Sequence, residues 1–181
     1  MKTQGIHHVA YRCINAKKTM EFYRDLLNME FMLAIAEDNV PSTGAPDPYM
    51  HIFMDSGRGN VLAFFEIPNS PDMGRDENTP AWVQHIAFQV NSIDDLLEAK
   101  DSLEAAGIDV LGPTNHTIFK SIYFFDPNGH RIELAANTGK PGMLDELKRV
   151  APAMLDEWDI TKKAPQHAAW LHSGEDFPGN K

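Results

Sequence analysis

A duplication constrains this chain more than any other feature. His8-Val-Ala-Tyr11 recurs as His85-Ile-Ala-Phe88, and each histidine stands seven residues ahead of a residue suited to cap a helix, Asn15 in the first copy and Ser92 in the second. A histidine followed by alternating large and small residues reads as a strand, because side chains change face at every residue. Helical spacing then takes over, with Ala16, Met20, Tyr23 and Leu27 in the first copy and Ile93, Leu96, Leu97 and Leu103 in the second. A fold made of one supersecondary unit and its copy follows.

Taken in order, residues 5–13 predict a strand and Asn15 to Asn28 a capped helix, followed by strands over 30–36, 49–54 and 60–67. This is βαβββ. Residues 69–81, rich in Pro, Gly, Asp and Asn, read as a linker, and the pattern then restarts. Residues 82–90 form a strand, Ser92 with Asp95 opens a helix that ends at Gly107, and strands are expected over 108–111, 121–125 and 130–134. Asp126-Pro127-Asn128-Gly129 joins the last two as a type I turn. The expected class is α+β: two tandem βαβββ modules, 5–68 and 82–137, with an extension over 138–181 whose helix, 141–161, is interrupted at Pro152. The extension serves either as a lid or as the surface of a homodimer.

Composition narrows the partners. The net charge of −10 and pI near 5.1 argue against nucleic acid and anionic membrane as partners, leaving a small molecule. Cys13 is the only cysteine, which excludes an intrachain disulfide and a thiolate metal site and suits a reducing cytoplasm. The N-terminus carries no apolar signal core, and no apolar run approaches a membrane span.

Glu133 lies in the middle of an apolar strand, where a carboxylate is costly to bury without a cation or a donor. By alternation His8, His85 and Glu133 each share a face with an alanine two residues on (Ala10, Ala87 and Ala135), while larger residues occupy the opposite face. The large faces pack on helices and the small faces line a hollow. Two histidines and a carboxylate are a ligand set that leaves coordination positions open, typical of non-haem Fe(II) and usable by Mn, Ni, Co or Zn. A single strand histidine is ordinarily structural; the duplicated register is what singles these two out.

The paired modules, the His-Val-Ala and His-Ile-Ala strands and Asp-Pro-Asn-Gly-His-Arg-Ile-Glu133 resemble the vicinal oxygen chelate superfamily of glyoxalases, fosfomycin-resistance thiol transferases, epimerases, bleomycin-binding proteins and extradiol dioxygenases. The resemblance covers residues 5–137 and implies a metal held by His8, His85 and Glu133 within a U-shaped mixed sheet. The spacing from Thr114-Asn-His116 through Tyr123, Asp126-Pro127 and Gly129 to Glu133 is similar to the extradiol-dioxygenase signature. It implies that His116 and Tyr123 contact substrate and oxygen. The function so implied is an Fe(II)-dependent dioxygenase cleaving a catechol-like or hydroquinone-like molecule with dioxygen.

Two departures accompany the match. Extradiol enzymes carry four modules where this chain has two, and Asn60 stands where they place an acid–base histidine, so His51 or His116 would have to serve. The rival readings are a glyoxalase- or epimerase-like lyase or isomerase, and a metal-free drug-binding protein, against which the triad counts. Glyoxalase-like members use a fourth ligand, an acid on the strand of Glu66. Here Ala63 is the inward residue by the small-face rule, so Glu66 points outward.

Overall fold

The computed structural model of the chain describes residues 3–173 and Phe177. The first half contains β1 (Val9–Cys13), α1 (Ala16–Leu27), β2 (Glu30–Asn39), β3 (Pro46–Asp55) and β4 (Val61–Glu66). The second contains β5 (Ile86–Val90), α2 (Ile93–Ala105), β6 (Leu111–Asn115), β7 (Phe119–Phe125) and β8 (Arg131–Asn137), and α3 (Met143–Thr161) and α4 (Trp170–Ser173) follow. Each half folds into its own four-stranded sheet, in the orders β1-β4-β3-β2 and β5-β8-β7-β6. In both, the first strand runs parallel to the last and the remaining pairs are antiparallel.

The helix boundaries follow from the caps. The Asn15 side chain accepts from the Lys18 N–H at 2.9 Å, and Asn28 closes α1 in the left-handed region at φ 52°. Ser92 accepts from the Asp95 N–H at 3.0 Å.

Strand ends shift by up to four residues, β1 beginning at Val9 rather than at 5, and three departures have a clear local cause. Residues 81–83 turn, with the Val83 N–H donating to Pro80, so β5 begins at Ile86 and His85 immediately precedes it, as His8 precedes β1. The strand expected over 108–111 lies at 111–115 instead. The Ile108 N–H is still committed to the end of α2, through Leu103 O, and Pro113 is accommodated because β6 is an edge strand with an irregularity between Leu111 and Thr114. Finally, α3 runs through Pro152, which is exposed, so water can take up the carbonyl that the proline leaves without a donor.

One core spans both halves. Tyr23 and Ala16 of α1 bury with Ile52, Met54, Leu62 and Phe64, and the same cluster continues through Leu96, Leu103, Ile122, Phe124, Ile132 and Leu134. The buried Cys13 thiol is pushed up to about 11, chiefly by desolvation, so it is inert at neutral pH. Between the halves lies the β7–β8 turn. Asn128 accepts from the Ile14 N–H at 2.8 Å and donates to Thr19 Oγ1 at 3.1 Å and to Asp126 at 2.9 Å, while the Tyr23 hydroxyl donates to Asp126 at 3.0 Å. His130 Nε2 donates to Arg12 O at 2.7 Å. Asp126 and Asn128 are buried, so every one of these groups needs its partner. Asn128→Ala leaves the Ile14 N–H without its acceptor and removes one donor from Asp126 and one from Thr19, and is expected to cost about 2 kcal/mol. Urea unfolding of the variant should show a lower midpoint with an unchanged slope.

Candidate metal centre

The second sheet assembles a polar cluster on the face opposite its helix. Glu133 of β8 lies directly across from Tyr123 of β7 on one side and Ala87 of β5 on the other. Its side chain is buried; Oε1 accepts from the Ser121 hydroxyl, and Oε2 lies 2.9 Å from His85 Nε2. His85 Nδ1 donates to the Val83 carbonyl at 2.9 Å, which fixes the ring and turns the Nε2 electron pair toward Glu133. A lone pair and a carboxylate oxygen at that separation need a cation, a proton or a metal ion, between them. An imidazole whose second nitrogen bonds a backbone carbonyl, beside a carboxylate held by a hydroxyl, is the support that metal-ligating residues ordinarily have. His85 and Glu133 therefore fit a divalent metal, with Ser121 and Val83 O orienting them.

Tyr123 and His116 form the next layer. Their hydroxyl and Nε2 are 2.9 Å apart, and the Tyr123 ring stands edge-on to His85 at 6.1 Å between centroids. Burial, followed by the Glu133 carboxylate, holds the Tyr123 phenol above its ordinary value, so at neutral pH it retains its proton. The Arg131 guanidinium lies 4.4 Å over the same ring. His116 is placed by the tight β6–β7 connection, where its N–H donates to Phe119 O at 2.9 Å.

The third expected ligand is elsewhere. Among the described residues no group of three or more His, Cys, Asp or Glu side chains converges in a way that could hold a metal. His8 is exposed and keeps company with its own half: His7 at 2.8 Å between Nδ1 atoms, and the rings of His51 at 6.3 Å and Phe53 at 6.1 Å. His51 stacks on Phe65 at 3.5 Å and on Phe53 at 4.1 Å, contacts within the first sheet, whereas His116 and Tyr123 belong to the second half. Burial, and then the neighbouring His8, hold His51 below its ordinary value and keep it neutral. Asn60 is a turn residue, donating to Gly57 O at 3.1 Å.

Glu66 points to the helix side, where Oε2 accepts from the Ala16 N–H at 2.6 Å, so its carboxylate caps α1 rather than ligating. Ser121 and Arg131 are site residues that the motifs did not single out. Ser121 shares strand parity with Tyr123, and Arg131 with Glu133, and that parity is the signal that could have found them.

Two outcomes follow. Glu66→Gln should leave metal content unchanged by elemental analysis, while Glu66→Ala lowers stability by about 1 kcal/mol through the lost cap. Replacement of His85 or Glu133 by Ala should abolish retention of Mn(II) or Co(II) through desalting; retention by His85→Ala at wild-type level would refute this centre.

The profile of the Glyoxalase/Bleomycin resistance protein/Dioxygenase superfamily matches residues 5–134. The chain is 30% identical over 133 residues to metallothiol transferase FosB of Staphylococcus epidermidis, covering 72% of this chain and 82% of that one. It is also 30% identical over 152 residues to biphenyl-2,3-diol 1,2-dioxygenase of Pseudomonas sp. strain KKS102, covering 82% of this chain but only 46% of the relative. The chain thus spans less than half of that dioxygenase. Among solved structures, the fosfomycin resistance protein FosX of Listeria monocytogenes, in complex with Mn(II) and sulfate, superimposes with a TM-score of 0.54 at 21% identity, covering 76% of this chain and 95% of the other. That likeness concerns the fold.

Proposed function

Because the chain belongs to the glyoxalase/bleomycin resistance/dioxygenase superfamily, we propose that it is a metal-dependent enzyme of the extradiol-dioxygenase type, acting on a catechol-like or hydroquinone-like molecule with dioxygen and Fe(II). The observation that carries this reading is the hydrogen-bonded His116–Tyr123 pair beside His85 and Glu133. Both members of that pair belong to the signature read from the sequence, and their contact supports the reading. The metal, held by His85, Glu133 and, as a third ligand, His8, would supply chelation of two vicinal oxygens and the redox chemistry that no side chain here can provide.

The chain's own residues do the rest. Tyr123 keeps its proton and donates toward charge developing on the substrate, and its hydrogen bond with His116 fixes the direction of that donation. Asn60 is engaged in a turn and His51 lies on the other sheet, which supports His116 as the acceptor of a substrate proton. Arg131 anchors the Tyr123 ring from its face. A lyase or thiol-transferase reading is favoured by length, since the chain covers 82% of the FosB relative against 46% of the dioxygenase. Both readings predict a metal, and they part on oxygen.

Oxygen consumption by anaerobically Fe(II)-loaded protein over a catechol and hydroquinone panel is the decisive measurement. Wild type should consume oxygen with at least one member. Tyr123→Phe should bind metal and melt close to wild type while turning over on the order of 10²-fold more slowly, about 3 kcal/mol of barrier. No oxygen uptake by wild type, with Mn(II)-dependent opening of an epoxide or transfer of a thiol in its place, would move the chain to the transferase side of the superfamily.

A further inference from the structure

We propose that the first half carries a second ligand site, a cleft between α1 and the outer strands of its sheet that takes a small organic cation with an apolar body, such as an arylalkylamine. The cleft lies on the side of the sheet opposite His51, and the proposal is independent of the metal reading above. It follows from side-chain size. Residues paired across strands share a face, and the register sets Phe31 beside Met54, Ala34 beside Ile52 and Ala36 beside Met50, all on the side that α1 covers. Met54 and Ile52 are buried, whereas Ala34 and Ala36 of β2 are exposed, with side chains too short to fill the space beside the helix. A space of about 760 Å³ is left, walled by Ala16 and Met20 of α1 and floored by these β2 and β3 side chains. Phe31 at 40% and Met50 at 37% exposure remain partly uncovered along it.

Charge decides the class of ligand. A space of that size suits a small organic molecule, and such sites are mostly apolar with a few placed polar groups. The charged residues lining this one are three acids, Glu37, Asp38 and Glu66, and one lysine, Lys17. Lys17 is already ion-paired with Glu21, and its side chain is 77% exposed, so its charge is spent in solvent. The three acids take part in no ion pair among the described residues. Glu66 uses one oxygen, Oε2, to accept from the Ala16 N–H at 2.6 Å, while Oε1 has no hydrogen-bond partner among the described residues. The acids do not converge into a group that could hold a metal ion. A cation that brings its own apolar body meets both features: an ammonium donates to Glu66 Oε1, a charge-assisted bond, and the body covers Met20, Ala34 and Phe31. An anion of the same shape would be repelled by the same three residues.

Calorimetric titration with naphthylmethylamine is the test, with naphthylmethanol and naphthylacetate as its neutral and anionic counterparts. Wild type should bind the amine about tenfold or more tightly than the alcohol, and should not bind the carboxylate. Protein stripped of metal by a chelator should bind the amine equally well, which separates this cleft from the metal centre. Glu66→Gln keeps an acceptor for the Ala16 N–H and removes the charge, so it should weaken the amine about tenfold and leave the alcohol unchanged. Ala34→Phe and Ala36→Leu each fill the floor and should abolish binding of both, with native circular dichroism; either one that folds suffices. The inference is overturned if the amine does not bind, if the carboxylate binds as tightly, if amine binding survives the filling variants, or if it disappears on metal stripping. It is equally overturned if wild type sediments as a dimer that ignores the amine and that Ala34→Phe dissociates, because the cleft would then be a contact between copies. Each of these failures leaves the metal reading standing.

Discussion

The buried turn at Asp126–Asn128 is the interaction on which the arrangement of this molecule depends. Two βαβββ units can satisfy their own hydrogen bonds and still lie in any mutual orientation, because nothing in a four-stranded sheet specifies what packs beside it. Here the Asn128 amide and the Asp126 carboxylate insert into the start and middle of α1, where they find the Ile14 N–H, Thr19 and Tyr23. Thr19 and Tyr23 are fully removed from water and the bond to the Ile14 N–H is partly buried; leaving a buried partner unpaired costs about 1–3 kcal/mol. A displaced orientation would orphan several at once, so the clamp selects one relation between the halves. The apolar contacts around it, such as Phe22 with Phe124 at 6.4 Å between ring centroids, stabilise without being directional.

The polar cluster on the second sheet follows a different logic, in which burial makes geometry obligatory. Glu133 stands in a strand between Ile132 and Leu134, both of which belong to the core. Its carboxylate is kept off that core by parity, with Oε1 satisfied by the Ser121 hydroxyl and Oε2 facing His85 Nε2. A hydroxyl and an imidazole are the smallest set that leaves one carboxylate oxygen facing an electron pair rather than a proton donor of fixed charge. Lys or Arg in place of His85 would close the carboxylate into a permanent ion pair and remove its capacity to ligate. The use of histidine therefore separates a site from a structural salt bridge.

Period-two and period-3.6 patterns carried most of the fold into view, since they report which face of an element is buried. The caps at Asn15, Asn28 and Ser92, the repeated βαβββ element order and the outward position of Glu66 were all legible from that alternation and from cap chemistry. What alternation does not report is the relation between faces on different elements. His8, His85 and Glu133 each have the expected small-residue face, yet only two of them meet within the chain. The residues that decide this, Asp126 and Asn128, look in the sequence like ordinary turn residues. The one polar residue on the stripe of α1 that meets them, Thr19, gives little away either, because its hydroxyl already donates to Asn15 O within the helix. The shift of β6 was illegible for another reason: a proline in a strand reads as a break, and only its edge position makes it tolerable.

His51 shows how an unfinished surface leaves a trace in the side chains that line it. Its ring lies between Phe65 at 3.5 Å and Phe53 at 4.1 Å, and its Nε2 is buried with no hydrogen-bond partner. A neutral imidazole nitrogen in that position gives up a water hydrogen bond and gains none, a cost that folded proteins ordinarily avoid. Phe or Leu would fill the same space between the two rings without it. The cost becomes intelligible when the whole face is considered, since His51, His8, Leu33 and Ile35 lie on one side of the first sheet and most of that side is open. Apolar side chains without cover and a polar atom without a partner on one face are two signs of the same thing. Within the chain that face bears both costs at once, exposed apolar side chains and an unpaired ring nitrogen.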